Sequence, residues 1–168
     1  MAEIWFISDT HFGHSNILTF KKEDGSFLRE FDSVEAMDQE MFNNWKRVVG
    51  PSDKVYHLGD VAFKKDRMEM IGDLPGHKRL VMGNHDLFDN SIYAKVFEKI
   101  HGVKQLNGLW LTHVPMHIDS VDQPRVKMNI HGHLHANKIK HPKYYNVSVE
   151  CIGFCPIHMD DIMEAVIE

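Results

Sequence analysis

Three features of the sequence predict an α/β layered fold. Short apolar runs alternate with segments of helical periodicity, the pattern of strands covered by helices. The 168 residues, 43% hydrophobic and 26% charged, suit one domain over residues 1–168 with a sizeable core. Five of the apolar runs also end in Asp, His or Asn. In α/β sheets such exits are where a rigid scaffold presents functional groups on loops.

Each element has its own warrant. "EIWFIS" (Glu3 to Ser8) is a short apolar run closing on polar residues, the mark of a buried strand. Residues 10–30 are mixed and loop-like. "FDSVEAMDQEMFNNWKRVVG" places Val34, Met37, Met41, Trp45 and Val48 at helical spacing. Asp32 and Glu35 stand as a capping box, and Gly50-Pro51 stops the run. "KVYHLGD" is a second strand and "DRMEMIGDLP" a short helix, its methionines read as core packing. "KRLVMGNHD" is a third strand, followed by a helix over residues 91–99. "GLWLTHVP", "VKMNIHGH" and "YYNVSVE" are further strands. "PIHMDDIMEAVIE" is a terminal helix with Pro156 in its first turn.

Composition removes several classes of function. A net charge of -5 argues against broad electrostatic binding to DNA or anionic membranes and leaves a local basic patch open. No apolar run nears the roughly 20 residues of a membrane span. "MAEIWFISDT" lacks a basic leader and reaches Asp9 too early for a signal peptide, so the expected compartment is the cytoplasm. Cys151 and Cys155 are too few for a disulfide framework and read as two reduced thiols, although a bridge between them is conceivable. The anomaly is histidine, 13 residues against 10 Phe and 4 Tyr. Three of them fall in five residues of "NIHGHLHA", at 131, 133 and 135.

The strand exits "FISDTH", "YHLGD", "LVMGNHD", "WLTHVP" and "NIHGHLH" explain that excess. They offer Asp9, His11, Asp60, Asn84, His113, His133 and His135. Two carboxylates, one amide oxygen and four imidazoles, with no thiolate, suit divalent Mn, Fe or Zn. Seven groups exceed one tetrahedral site and fit two cations sharing a ligand. Paired cations about 3.5–4 Å apart activate a bridging water and neutralise phosphoryl oxygens during in-line displacement. A bridging carboxylate such as Asp60 would hold the cations together against their repulsion. Alternate spacing would point His133 and His135 the same way from an extended chain.

"DTH", "GD", "GNHD", "TH" and "GHLH", in that order, resemble the five signature blocks of the calcineurin-like metallophosphoesterases. "SDTHFGHSNI" and "NVSVE" resemble a compact bacterial and phage branch of that superfamily. The resemblance implies a four-layer α/β/β/α sandwich with a dinuclear site at the C-terminal ends of the strands. It implies that Asp9, His11 and His135 hold one metal, that Asn84, His113 and His133 hold the second, and that Asp60 bridges them. His85 would protonate the leaving oxygen or stabilise its developing charge. His131 receives no role from it; an orienting group and a packed histidine are both open readings.

Other residues carry weaker expectations. His14 could contact phosphate and is equally readable as a loop histidine; His117 could line the leaving-group side, with no role in the site as the simpler reading. His57 reads as a core or sheet-edge histidine. "NKIKHPK" (Asn137 to Lys143), Arg125 and Lys127 could form a lip for an anionic ester, with solvated turns as the simpler reading. Relatives that act on phosphoproteins extend their second block to supply an Asp supporting the catalytic His and an Arg clamping phosphate. Here position 63 is Phe, and that Arg is missing. The expected function is therefore hydrolysis of small phosphodiesters, phosphomonoesters or both, by a metal-bridging hydroxide. A nuclease acting on short single strands or ends is the first alternative. A binding scaffold like the retromer subunit of this superfamily is the second, and the intact Asn84-His85-Asp86 argues against it.

Overall fold

The computed structural model describes residues 2–165. In chain order, β1 is Ile4–Ile7, α1 Val34–Val48, β2 Lys54–His57, α2 Lys65–Gly72, β3 His77–Val81 and α3 Asn90–Ala94. Then follow β4 Lys99–His101, β5 Lys104–Leu106, β6 Leu109–Leu111, α4 Ile118–Val121, β7 Met128–His131, β8 Tyr144–Asn146, β9 Ile157–His158 and α5 Met159–Glu164. The strands form two mixed sheets, ordered β4-β3-β2-β1-β9 and β5-β6-β7-β8. In the first, β1 to β4 run parallel and β9 antiparallel; in the second, β6, β7 and β8 run parallel. A parallel bridge between Ser8 and Ser148 joins the sheets just past the ends of β1 and β8.

Alternation along each strand makes two cores. Ile7, Val55 and Leu80 face Met37, Met41 and Trp45 of α1 and Met68 and Ile71 of α2. The intervening residues Phe6, Tyr56 and Val81 meet Leu109, Leu111, Met128 and Ile130 of the second sheet. Helices, first sheet and second sheet therefore stack in that order, and the α/β expectation holds at that level.

Several boundaries differ from the sequence reading. The cap of α1 is Ser33, whose hydroxyl accepts from Ala36 N–H, and not Asp32. Serine one residue later satisfies the same orphan donors, so the acid-based box is displaced. The helix expected over 91–99 is only α3; its end feeds Lys99–His101 into the sheet edge beside β3. The terminal helix begins at Met159, because Ile157 and His158 pair with β1 and His158 becomes its cap. Its expected last three residues, 166–168, lie outside the described ones. Residues 15–19 form a 3-10 helix, and residues 20–28 a small arm closed by Lys21 opposite Phe27. Strand β5 also escaped the sequence reading, although Asn107-Gly108, both at positive φ, is a strong hairpin signal. Both cysteines are free thiols.

Candidate metal centre

Every proposed ligand follows a strand exit. Asp9 and His11 follow β1, Asp60 follows β2, Asn84 follows β3, His113 follows β6, and His133 and His135 follow β7. Parallel strands bring those exits to one edge. Two donor groups form there: Asp9, His11 and His135, and Asp9, Asp60 and His113, with one ligand atom from each member within 4.8 Å of the others. Asp60 Oδ2 lies 3.3 Å from His113 Nε2 and 3.6 Å from His11 Nε2, between the two groups. Asn84 Oδ1 lies 3.0 Å from both His113 Nε2 and His133 Nδ1. The sequence reading assigned sharing to Asp60 alone; Asp9 belongs to both groups.

The backbone at these positions is unusual. Among the described residues, seven non-glycine residues have positive φ, and five of them are Asp9, His11, Asp60, His133 and His135. Such conformations cost energy and persist where surroundings over-determine them. They also correct the account of "GHLH". Strand β7 ends at His131, and His133 and His135 present their rings from left-handed turns at φ 69° and 49°, not from an extended chain. His131 stays on the strand, fully buried, with Nδ1 2.8 Å from Gly132 O. Two motif glycines are steric requirements. A Cβ on Gly59 would sit 2.5 Å from Gly83 N and 2.8 Å from His113 Nδ1. One on Gly132 would run into the side chains of Ser8 and Asp9.

A supporting layer fixes Asp9, Asp60, His113 and His135. Asp9 Oδ2 accepts from His133 N–H and Ser148 Oγ–H, both at 2.9 Å, which leaves Oδ1 for the site. Asp60 Oδ1 accepts from His85 N–H at 2.8 Å, leaving Oδ2. His113 Nδ1 lies 2.7 Å from Leu58 O, the contact that directs Nε2 inward. His135 Nδ1 meets Glu150 Oε1 at 3.0 Å, and Arg29 Nε donates to the same oxygen at 2.8 Å. Arg29 is buried and also donates to the carbonyls of Asp9 and Thr10, so one guanidinium ties the first loop to His135 through Glu150. Neither Arg29 nor Glu150 was singled out from sequence. Their signal was weak: an Arg in a loop and a Glu ending "NVSVE", 121 residues apart.

Charge follows this geometry. Burial opposes ionisation of Asp9, but nearby His11, His113 and His135 outweigh it and hold the carboxyl far below its ordinary range. Burial opposes ionisation of Asp60 too, and His113 overrides it. Burial also lowers the pKa of His113 and His135, yet their carboxylate partners Asp60 and Glu150 bring both above the ordinary value. Burial dominates at His11 and His133, whose pKa values are lowered. Asp9 Oδ1 and His11 Nε2 are buried 3.9 Å apart, and neither has a hydrogen-bond partner. An orphaned buried polar atom costs about 1–3 kcal/mol, and a cation between these two would satisfy both. The donor set fits a divalent metal.

The remaining candidates divide. His85 is exposed, with its ring centroid 5.8 Å from that of His11. Asp86, its neighbour and the nearest carboxylate in sequence, is spoken for: it accepts from the N–H groups of Asp60, Val61 and Gly83. Phe63 stacks on His14 at 4.0 Å and lies 5.3 Å from His11 and 5.6 Å from His85. His14 is thus at the site's margin, and burial lowers its pKa to about 4. His117 instead caps α4, accepting from Asp119 N–H. His57 is fully buried. Lys143 pairs with Asp122 at 3.2 Å, while Lys138 and Lys140 are exposed. Arg125 and Lys127 lie beside Gly108, where β6 and β7 begin, away from the strand exits.

Fold and site define a class, an α/β protein with clustered Asp and His metal donors, and the comparisons place the chain in a family. It is 35% identical to the uncharacterized protein MJ1445 of Methanocaldococcus jannaschii, over 99% of this chain and 92% of that protein. The chain belongs to the family of that archaeal protein. The Gene 66 protein of Mycobacterium phage L5 is 26% identical over 99% of this chain and 95% of its own. A crystal structure of the protein of unknown function AQ665 from Aquifex aeolicus superposes with a TM-score of 0.79. That pair is 27% identical, over 98% of this chain and all of the other. No family model matches. Among the described residues, no helix is long and apolar enough to cross a membrane.

Proposed function

We propose that this protein is a cytoplasmic, dinuclear metal-dependent phosphoesterase of the calcineurin-like superfamily, built as an α/β/β/α sandwich. The observation that carries the reading is a pair of donor groups that share Asp9, whose Oδ1 is buried without a partner, as is Nε2 of His11 in the first group. Asp9, His11 and His135 would hold one cation, Asn84, His113 and His133 the other, and Asp60 would lie between. Mn, Fe and Zn all suit this nitrogen and oxygen set. Two bound cations would supply an activated water and charge neutralisation at phosphorus.

The chain's own groups do the rest. Asp9 and Asp60, held ionised and each clamped through its outer oxygen, fix the spacing of the donors. His85 stands exposed beside the cluster and would give a proton to the departing oxygen. Its backbone N–H donates to Asp60 Oδ1, which ties the His85 backbone to that carboxylate. Phe63 borders the site where an acidic partner for His85 would stand in phosphoprotein-directed relatives. Without a clamping Arg, a phosphodiester monoanion is better matched than a phosphomonoester dianion, which gains most from added cations. The second reading, action on nucleic-acid ends, is favoured by the exposed Phe20, Lys21 and Lys22 beside His133 and His135.

Metal-stripped protein reloaded with Mn, Fe or Zn and assayed on matched aryl phosphomonoesters and phosphodiesters tests this. Metal-dependent hydrolysis of the diester at least as fast as the monoester is expected. No turnover with any of these metals would overturn the reading. His85→Ala should keep metal and fold and lose about 10²–10⁴-fold in kcat on an alkyl ester, less on a nitrophenyl ester. Wild-type rates on both esters would remove His85 as the acid.

A further inference from the structure

The arm over residues 20–28 takes no part in the donor cluster, yet it faces it. Two cross-strand contacts hold it, Leu28 N–H to Phe20 O and Lys22 N–H to Ser26 O, both at 2.8 Å. Phe20 is 46% exposed, and Phe27 on the returning strand of the arm 48%. Between the arm and the His133–Asn137 turn runs a cavity of about 540 Å³. Phe20, Lys21 and Lys22 form one wall; His133 and His135 form the other. From Phe20 a line of rings leads inward: Phe20 edge-on to His14 at 5.8 Å, then His14 stacked on Phe63 at 4.0 Å, then Phe63 5.3 Å from His11. Arg29, the residue after the arm, is the buried guanidinium bound to Glu150 and the Asp9 carbonyl, so the arm's base is anchored to the site.

We infer that this groove binds the nucleoside portion of a nucleotidyl phosphodiester, with the base stacked on Phe20 and the anionic backbone near Lys21 and Lys22. The inference rests on the phosphoesterase reading for its chemistry, though not for its binding. An exposed aromatic ring interleaved with lysines is what unpaired bases on an anionic backbone need. The volume falls within the range of small-molecule sites, about 300–1,000 Å³. Lys21 Nζ lies 5.4 Å from the centroid of the Phe27 ring, and among the described residues neither lysine forms an ion pair, although Glu23 shares their wall. The overall charge of -5 confines this attraction to the arm, which favours a nucleotide or a strand end over a duplex.

The test uses the full chain loaded with Mn and two substrates with one leaving group: thymidine 5′-(4-nitrophenyl phosphate) and methyl 4-nitrophenyl phosphate. Wild type should prefer the nucleotidyl ester in kcat/KM. Phe20→Ala should remove about 10-fold from that ester and leave the methyl ester unchanged, and Phe20→Trp should restore it. Saturation-transfer NMR of thymidine 5′-monophosphate should show its base protons in contact with wild type and released in Phe20→Ala. An eight-residue thymidine oligonucleotide in the same experiment separates the sources: tighter binding than the mononucleotide supports a strand end, equal binding a free nucleotide. Hydrolysis of both esters without preference, unchanged in Phe20→Ala, overturns the groove's role and spares the phosphoesterase reading. Base contact dependent on Phe20 without hydrolysis of either ester does the reverse.

Discussion

Asp86→Asn exchanges one carboxylate oxygen for an amide NH₂ and has a calculable cost. Asp86 Oδ2 accepts from Asp60 N–H at 2.8 Å and Gly83 N–H at 2.7 Å, and Oδ1 accepts from Val61 N–H at 2.9 Å. The carboxylate is buried, and burial pushes its pKa up, opposed by those same three bonds. An amide can offer one oxygen. In its better orientation that oxygen keeps the Asp60 and Gly83 bonds, and its NH₂ confronts Val61 N–H, donor against donor. The lost bond to a charged acceptor is worth about 1.5–3 kcal/mol. The two survivors fall from charged to neutral strength, about 0.5–1 kcal/mol each by the same scale. The sum is about 2.5–5 kcal/mol, or a fall in Tm of roughly 5–20 °C for a chain of this size. Thermal unfolding of metal-free wild type and Asp86→Asn measures it. Because the loops held are those of Asp60 and Asn84, metal affinity should fall as well. A Tm within 2 °C of wild type together with collapsed turnover would refute the reasoning and make Asp86 the partner of His85.

Two further outcomes follow from the supporting layer. Glu150→Gln should weaken one metal about 10–100-fold and affect the other less, because His135 is the one proposed ligand whose side chain contacts Glu150, while Asp9 is reached only through Arg29 and its own carbonyl; metal titration that shows equal loss at both sites contradicts this. His57 accepts from Gly59 N–H at Nδ1, so Nε2 carries its proton and donates to Thr10 Oγ1 at 2.9 Å. Burial holds its pKa down at about 3, against 6.5 for the free ring. The unfolded chain therefore binds an extra proton below 6.5, and this stabilisation is present above 6.5 and lost as pH falls toward 3. Between pH 7.5 and 5.5 the loss is about 1.4 kcal/mol. Urea unfolding at both values should show a shallower dependence in His57→Gln, and an identical dependence would contradict the assignment.

What sequence revealed and what it hid have physical reasons. Strands β1, β2 and β3 were legible because their apolar runs are buried on both faces and stop abruptly at polar exits. Helix α1 was legible because Met37, Met41 and Trp45 recur on one face. Strands β4 and β9 span only three and two residues and take their identity from neighbours, so no local pattern marks them, and the one mark of β5 is the Asn107-Gly108 turn that follows it. The donor residues were nameable because each ends a strand. Their presentation was not, since left-handed turns at His133 and His135 have no signature beyond the neighbouring Gly132. Glu150 and Arg29 lie far apart in sequence, and their pairing exists only once the Ser8–Ser148 bridge closes the two sheets together.

The central claim is that the strand exits hold two cations. Elemental analysis of metal-stripped protein, reloaded with Mn and desalted, addresses it directly. The account predicts close to two metals per wild-type chain and close to one for His135→Ala. A wild-type ratio near zero across buffers from neutral to mildly basic pH would contradict it.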